Sequence, residues 1–183
     1  MEYRTSKSHP LQIARLLTPS GGDIGLTFCP GKSDPAAMTG AWRRDLNADL
    51  RAIRDWPAGR LVTLMETHEL EQLRVPQLGE KAKAMSLDWA HLPIRDVSIP
   101  DREFEERWPS MAGQIEADLA AGVNVVIHCR GGLGRTGLVA GMLLVGMGVT
   151  PLEALERVRS VRSGAVETSE QERYLLGWCQ RQA

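Results

Sequence analysis

An α/β domain with a mostly parallel central sheet of about four or five strands, flanked by helices, is the fold class this sequence predicts. Three observations carry that expectation. Short apolar runs alternate along the chain with segments of helical spacing. The run VNVVI (Val123–Ile127) passes through a glycine-rich stretch into the helical pattern GLVAGMLLVGM (Gly137–Met147). Two polar loops each follow a strand-like run, and in open parallel sheets ligands bind beyond the carboxyl ends of the strands. The 183 residues suit one domain. Residues 21–183 read as that domain, preceded by an N-terminal segment, 1–20, to which the sequence assigns no structure.

The elements follow in order. IGLTF (Ile24–Phe28) is a short strand ended by Cys29-Pro30-Gly31. Trp42, Leu46, Leu50 and Ile53 repeat at helical spacing, and Pro57 and Gly59 stop that helix. Arg60–Met65 is a buried strand. HELEQLRV and PQLGEKAKAM are short helices, the second with Pro76 in its first turn. Leu87–Ile94 is a strand running into the loop RDVSIPD. Met111–Ala121 is helical and ends near Gly122. Thr150-Pro151-Leu152-Glu153 has the pattern of a capping box, opening a helix to about Arg162. A last helix runs from Thr168-Ser169 to about Gln180.

Composition excludes several classes. The net charge is −1, which speaks against a nucleic-acid binder. Any affinity for phosphate must be local to a cleft. Cys29, Cys129 and Cys179 are scattered, neither a disulfide framework nor a zinc pattern, and fit a reduced, cytoplasmic setting. The N-terminus lacks the apolar core of a signal peptide, and no apolar run reaches membrane-spanning length. The five tryptophans read as packing residues. A monomer without metal or cofactor is the expectation.

The stretch HCRGGLGRTG (His128–Gly137) carries the chemistry. Its GLGRTG segment matches a dinucleotide fingerprint, but no second strand ending in an acidic residue follows the helix, as a βαβ nucleotide unit requires. Nor does it contain the Gly-Lys-Ser/Thr of a Walker loop. Five residues, Arg130, Gly131, Gly132, Leu133 and Gly134, separate Cys129 from Arg135. A glycine-rich turn of that size can aim successive backbone N–H groups inward as an anion nest. The following helix adds its N-terminal donors, and Arg135 adds a planar fork for two phosphate oxygens. A helix N-terminus and an arginine also favour the thiolate of a neighbouring cysteine. Cys129 is therefore the candidate nucleophile, attacking bound phosphorus to form a phosphocysteine. His128 is expected to orient the loop by hydrogen bonding. Thr136 either donates its hydroxyl to Cys129 or simply opens the helix.

His128-Cys129-x5-Arg135-Thr136 is the cysteine phosphatase signature, and the chain resembles the dual-specificity protein tyrosine phosphatases. The segments HELEQLRVP, HLPIRDVSIPD, HCRGGLGRTG and VRSGAVETSEQERYL, spanning roughly residues 60 to 176, are similar to those of the kinase-associated phosphatase group. The resemblance implies a protein tyrosine phosphatase-like fold. It also implies a general acid in a pattern like Pro-x-x-Asp-x-x-x-Pro, which falls on Asp96 between Pro93 and Pro100. Many relatives have glycine after that aspartate, where this chain has Val97. Asp101 is the rival acid, with Glu103 and Glu105 behind it. Gln171 falls where relatives carry a glutamine near the pocket, either orienting the hydrolytic water or merely sitting in the first turn of the last helix.

The loop interior has no lysine of the kind phosphoinositide phosphatases use, although Arg130 is available for a second anion. A phosphoprotein substrate is favoured, with phosphotyrosine and phosphoserine or phosphothreonine both admitted. The alternatives are a phosphoinositide or small-phosphoester phosphatase, a catalytically idle phosphoprotein-binding module, and a rhodanese-type sulfur transferase. Cys29 and Cys179 are candidates for a protective disulfide with Cys129.

Overall fold

The computed structural model describes residues 2–178. Its elements in chain order are β1 (Ala14–Leu16), β2 (Ile24–Phe28), β3 (Ser33–Asp34), β4 (Trp42–Arg43), α1 (Leu46–Asp55), β5 (Ala58–Thr63), α2 (Thr67–Gln72), α3 (Leu78–Ala84), β6 (Asp88–His91), α4 (Arg102–Ala120), β7 (Asn124–Cys129), α5 (Gly134–Gly146), α6 (Pro151–Val161) and α7 (Ser169–Leu176). Five strands form one sheet in the order β1-β2-β7-β5-β6. All neighbours in it are parallel except β1 with β2. The expected α/β sheet is therefore the one observed.

This order positions the site. Strand β7 lies at the centre of the sheet, and Val125, Val126 and Ile127 are fully buried. Near-continuous burial is what a parallel strand covered on both faces requires. Strands β5, β6 and β7 all end at the same edge, so the turns after Thr63, His91 and Cys129 gather there. Helix α5 leaves that edge buried from Gly134 to Val145, with its N-terminus at the cup.

Several boundaries differ from the sequence reading, each for a local reason. Trp42–Arg43 is a strand paired with Ser33–Asp34. Helix α1 starts only at Leu46, because the Asp45 carboxylate accepts from Ala48 N at 2.7 Å and caps it. Helix α4 starts at Arg102, nine residues before the expected Met111, and runs through Pro109. Its cap is Asp101, which accepts from Phe104 N at 2.9 Å. The Thr150 hydroxyl accepts from Glu153 N at 3.3 Å, but the Glu153 carboxylate goes to Arg157 instead of closing the box. The N-terminal segment contributes β1 as an antiparallel edge strand. The expected final turns of the last helix, at Cys179 and Gln180, lie outside the described residues. Among the described residues, no helix is long and apolar enough to cross a membrane.

Candidate active site

The site starts from one backbone constraint. Gly132 has φ +71°, and a Cβ there would fall 2.4 Å from the Thr27 carbonyl oxygen. Only glycine lets the chain turn this closely against β2. The turn brings Gly132 N to 3.3 Å from Cys129 Sγ, which accepts its hydrogen. Cys129 is 3% exposed at the bottom of a small cup. Asp96, Val97, Gly131, Leu133, Gly134, Arg135, Glu167 and Gln171 line the cup with it. The hollow measures about 60 Å³, well short of the roughly 300 Å³ at which drug-sized ligand pockets begin. It is scaled to a phosphoryl group, not a dinucleotide. A larger cavity, about 490 Å³ and lined in part by Trp108, Glu116, Met142 and Trp178, sits near Gly146. That is 12 residues along α5 from Gly134, or about 18 Å of helix.

Arg135 is the most constrained side chain of the site. It is 2% exposed, and Glu69 takes both of its terminal nitrogens, Nη1 at 2.6 Å and Nη2 at 2.9 Å. Nη1 also donates to the Ile94 carbonyl at 2.9 Å. Burial works against the guanidinium charge, but Glu69, Cys129 and Asp96 together more than offset it, so its pKa is raised. Burial likewise works against charge on Glu69. The hydrogen bonds and charge of Arg135 outweigh it and hold that carboxyl below its ordinary range. Glu69 is a site residue the sequence reading missed. Its only signal was the Glu66-x-x-Glu69 spacing of a capping box, which the structure forms at the start of α2.

Asp96 lies on the turn after β6 and lines the cup. Its Oδ1 is 2.8 Å from Arg135 Nη2 and also accepts from Val97 N at 3.0 Å. Val97 itself has φ +57°, a left-handed conformation at a β-branched residue. This is the place where the sequence flagged a departure from glycine. The rival Asp101 is occupied as the α4 cap and lines a neighbouring hollow. Glu103 pairs with Arg107, and Glu105 accepts from the Tyr174 hydroxyl at 2.8 Å.

Gln171 is 1% exposed and joins three segments. Its Oε1 accepts from Glu167 N and Thr168 N, and its Nε2 donates to the Ser98 carbonyl at 3.0 Å. It therefore caps α7 and ties the Asp96 loop to that helix. His128 is fully buried. Trp89 Nε1 donates to the Thr63 hydroxyl at 2.9 Å, which leaves the hydroxyl hydrogen for His128 Nε2 at 2.7 Å. Burial pushes the His128 pKa down to about 3, so the ring is neutral. The Thr136 hydroxyl is buried and makes no hydrogen bond to Cys129 among the described residues. The Arg130 side chain pairs with Asp34 at 2.9 Å. Cys29 and Cys129 are both free, buried thiols, and burial raises the Cys29 pKa. Cys179 lies outside the described residues.

The arrangement combines a cysteine sulfur, backbone donors, a guanidinium and a carboxyl group in one small hollow. Comparison with known proteins points the same way. Cyclin-dependent kinase inhibitor 3 from Mus musculus is 31% identical over 135 residues, covering 73% of this chain and 63% of that protein. The chain thus spans less than two thirds of the length of such curated relatives. The probable protein tyrosine phosphatase type IVA B of Dictyostelium discoideum is 36% identical over 78 residues, 42% of this chain and 48% of that protein. Among solved structures, kinase associated phosphatase with its catalytic-site cysteine replaced by serine superposes with a TM-score of 0.83 at 26% identity. That match covers 94% of this chain and 96% of the other. Tk-PTP in its active form gives 0.68 at 28% identity, covering 92% and 97%. A family model described as "Polymorphic toxin system, DSP-PTPase phosphatase" matches residues 36–149, more than half of the 183 residues, and the chain belongs to this DSP-PTPase phosphatase family.

Proposed function

We propose that this protein is a metal-independent phosphomonoester hydrolase, a dual-specificity protein phosphatase that removes phosphate from tyrosine and from serine or threonine. The observation that carries the reading is Cys129 Sγ at the floor of a cup it shares with Arg135 and Asp96. The phosphoryl dianion enters the cup, and the backbone N–H groups of Arg130 through Arg135 and the Arg135 fork receive its oxygens. It competes with Asp96 for Arg135 Nη2. The Cys129 thiolate attacks phosphorus, the P–O ester bond breaks, and Asp96 gives its proton to the leaving oxygen. A water then attacks the phosphocysteine, Asp96 takes its proton, the P–S bond breaks, and inorganic phosphate leaves. Charge spread over the equatorial oxygens in both steps meets donors already in place.

His128 is assigned to orientation, since it is neutral, buried and bonded to Thr63. Thr136 is assigned to assisting departure of the sulfur once the cup is filled. Gln171 retains one Nε2 hydrogen beyond the one given to Ser98, and we assign it to the hydrolytic water. The engagement of Arg130 by Asp34, and a carboxylate, Glu167, on the cup wall, favour a singly phosphorylated protein side chain over a multiply phosphorylated inositol. Free thiols at Cys29 and Cys129 fit a cytoplasmic setting, and the protein is taken to act as a monomer.

Hydrolysis of para-nitrophenyl phosphate in the presence of a chelator, by the native chain and by Cys129→Ser, tests the reading. Turnover that persists in chelator and disappears in Cys129→Ser supports it. Binding of phosphopeptide without turnover by the native chain would make it an idle binding module.

A further inference from the structure

A cup that presents its N–H groups inward must have its carbonyls held from outside. The Arg130 carbonyl accepts from Cys29 N at 3.4 Å, and the Leu133 carbonyl from Gly137 N at 2.9 Å and Val166 N at 3.4 Å. The two carbonyls between them share one side chain. Arg162 Nη2 donates to Gly131 O at 3.2 Å and Nε donates to Gly132 O at 3.1 Å. Among the described residues, no other side chain donates to these loop carbonyls.

The Gly131 carbonyl and the Gly132 N–H belong to one planar trans peptide unit, so they point in opposite directions. Arg162 holds the oxygen of that unit on the outside, and Cys129 Sγ receives its hydrogen on the inside. Glycine on both sides of the unit lowers the resistance to a peptide flip, which would aim a carbonyl oxygen at the incoming anion. Arg162 closes that escape. Its own platform is fixed. Arg159 donates to Ala165 O and Val166 O, both at 3.1 Å, and pairs with Glu172 at 2.7 Å. Val166 is held at φ +56°, a conformation a β-branched residue keeps only where its surroundings impose it. Burial lowers the Arg162 pKa, while the charge of Cys129 acts in the opposite direction, placing this guanidinium within the electrostatic reach of the sulfur.

We infer that Arg162 is a positioning residue of the phosphate cup, locking the Gly131–Gly132 peptide so that its N–H stays on the nucleophile and the next amide stays turned to the bound oxyanion. The inference rests on the phosphatase reading of the cup, and tungstate binding tests it without any turnover. Calorimetric titration of tungstate into the native chain, Arg162→Ala and Arg162→Lys is the experiment, with thermal unfolding of each. Both variants are expected to bind tungstate at least tenfold more weakly, because lysine keeps one charge but cannot span two carbonyls. Native affinity in folded Arg162→Ala would overturn the inference, as would full rescue by lysine, which would reduce the role to charge. If Arg162→Ala does not fold, Arg162→Lys decides alone, by the same loss or retention of affinity. A native chain that binds tungstate yet shows no Cys129-dependent turnover would count against the phosphatase reading and leave this test intact.

Discussion

Glu69 and Arg135 form a two-point pair across 66 residues of sequence, 2.6 and 2.9 Å apart at its two contacts, with both side chains less than 5% exposed. The guanidinium that faces the cup is therefore oriented from behind by helix α2. Removing one member of a buried pair leaves the other charge uncompensated, which costs about 3–5 kcal/mol. Glu69→Ala is expected to lose stability of that order in urea unfolding and to lose most of its kcat/KM. Glu69→Gln, which keeps a hydrogen-bond acceptor, should lose less of both. A Glu69→Ala chain as stable and active as the native one would show that Arg135 orients itself.

Asp96 and Asp101 separate cleanly. Asp96→Ala should lower kcat about 10²- to 10⁴-fold, as loss of a general acid does, while tungstate binds at least as tightly because a competitor for Arg135 is gone. Asp101→Ala should cost about 1 kcal/mol through the lost helix cap and leave kcat near its native value. The assignment fails if the two variants exchange these behaviours in steady-state kinetics.

Gln171→Ala removes a cap and the tie to Ser98 together, so a stability loss of about 1 kcal/mol is expected. Stopped-flow kinetics with para-nitrophenyl phosphate should add a burst close to one equivalent of product, since the second step loses its water donor while the first is retained. A uniform slowing with no burst would leave Gln171 as a structural tie alone.

His128 predicts a pH dependence with a fixed sign. Its pKa falls from 6.5 to about 3 on folding. Between those values the unfolded chain binds the extra proton, so the stability associated with neutral His128 is fully present above pH 6.5 and is lost as pH falls toward 3. The slope approaches about 1.4 kcal/mol per pH unit. Urea midpoints at pH 7, 6 and 5 should show the native chain losing stability faster than His128→Gln. Parallel curves would mean that His128 is not buried neutral.

Val97 is 60% exposed and left-handed. A β-branched residue pays about 1–2 kcal/mol for that conformation, and glycine returns about 0.5–1 of it through a freer unfolded chain. Val97→Gly is expected to raise the urea midpoint slightly. A fall would show that the Val97 side chain contributes contacts that exceed its backbone strain.

Much of this was readable from residues near one another in sequence. The cup compresses strand, glycines and helix N-terminus into ten residues, so spacing alone revealed Cys129, Arg135 and the direction of the amides. Asp96 came from proline spacing and resemblance. Glu69, Thr63 and Arg162 were invisible because their meaning lies in contacts 30 to 66 residues away. Glu69 carried only the spacing of a helix cap, and Arg162 stood only at the expected end of a helix. Helix α4 begins before the expected Met111 and runs through Pro109, whose one missing N–H does not break its 19 residues. The Trp42–Arg43 strand was read as helix because its tryptophan happened to fall in phase with Leu46 and Leu50.

The pairing of β2 with β7 joins residues about a hundred positions apart, as in Ile24 with Val125. Closing so long a loop delays that contact relative to any helix. Recovered turnover after dilution from denaturant therefore times the completion of the sheet, well after far-ultraviolet dichroism has returned. On the ribosome the same order holds: Cys129 is synthesised before Arg162 and Gln171, so its surroundings stay incomplete until both have emerged.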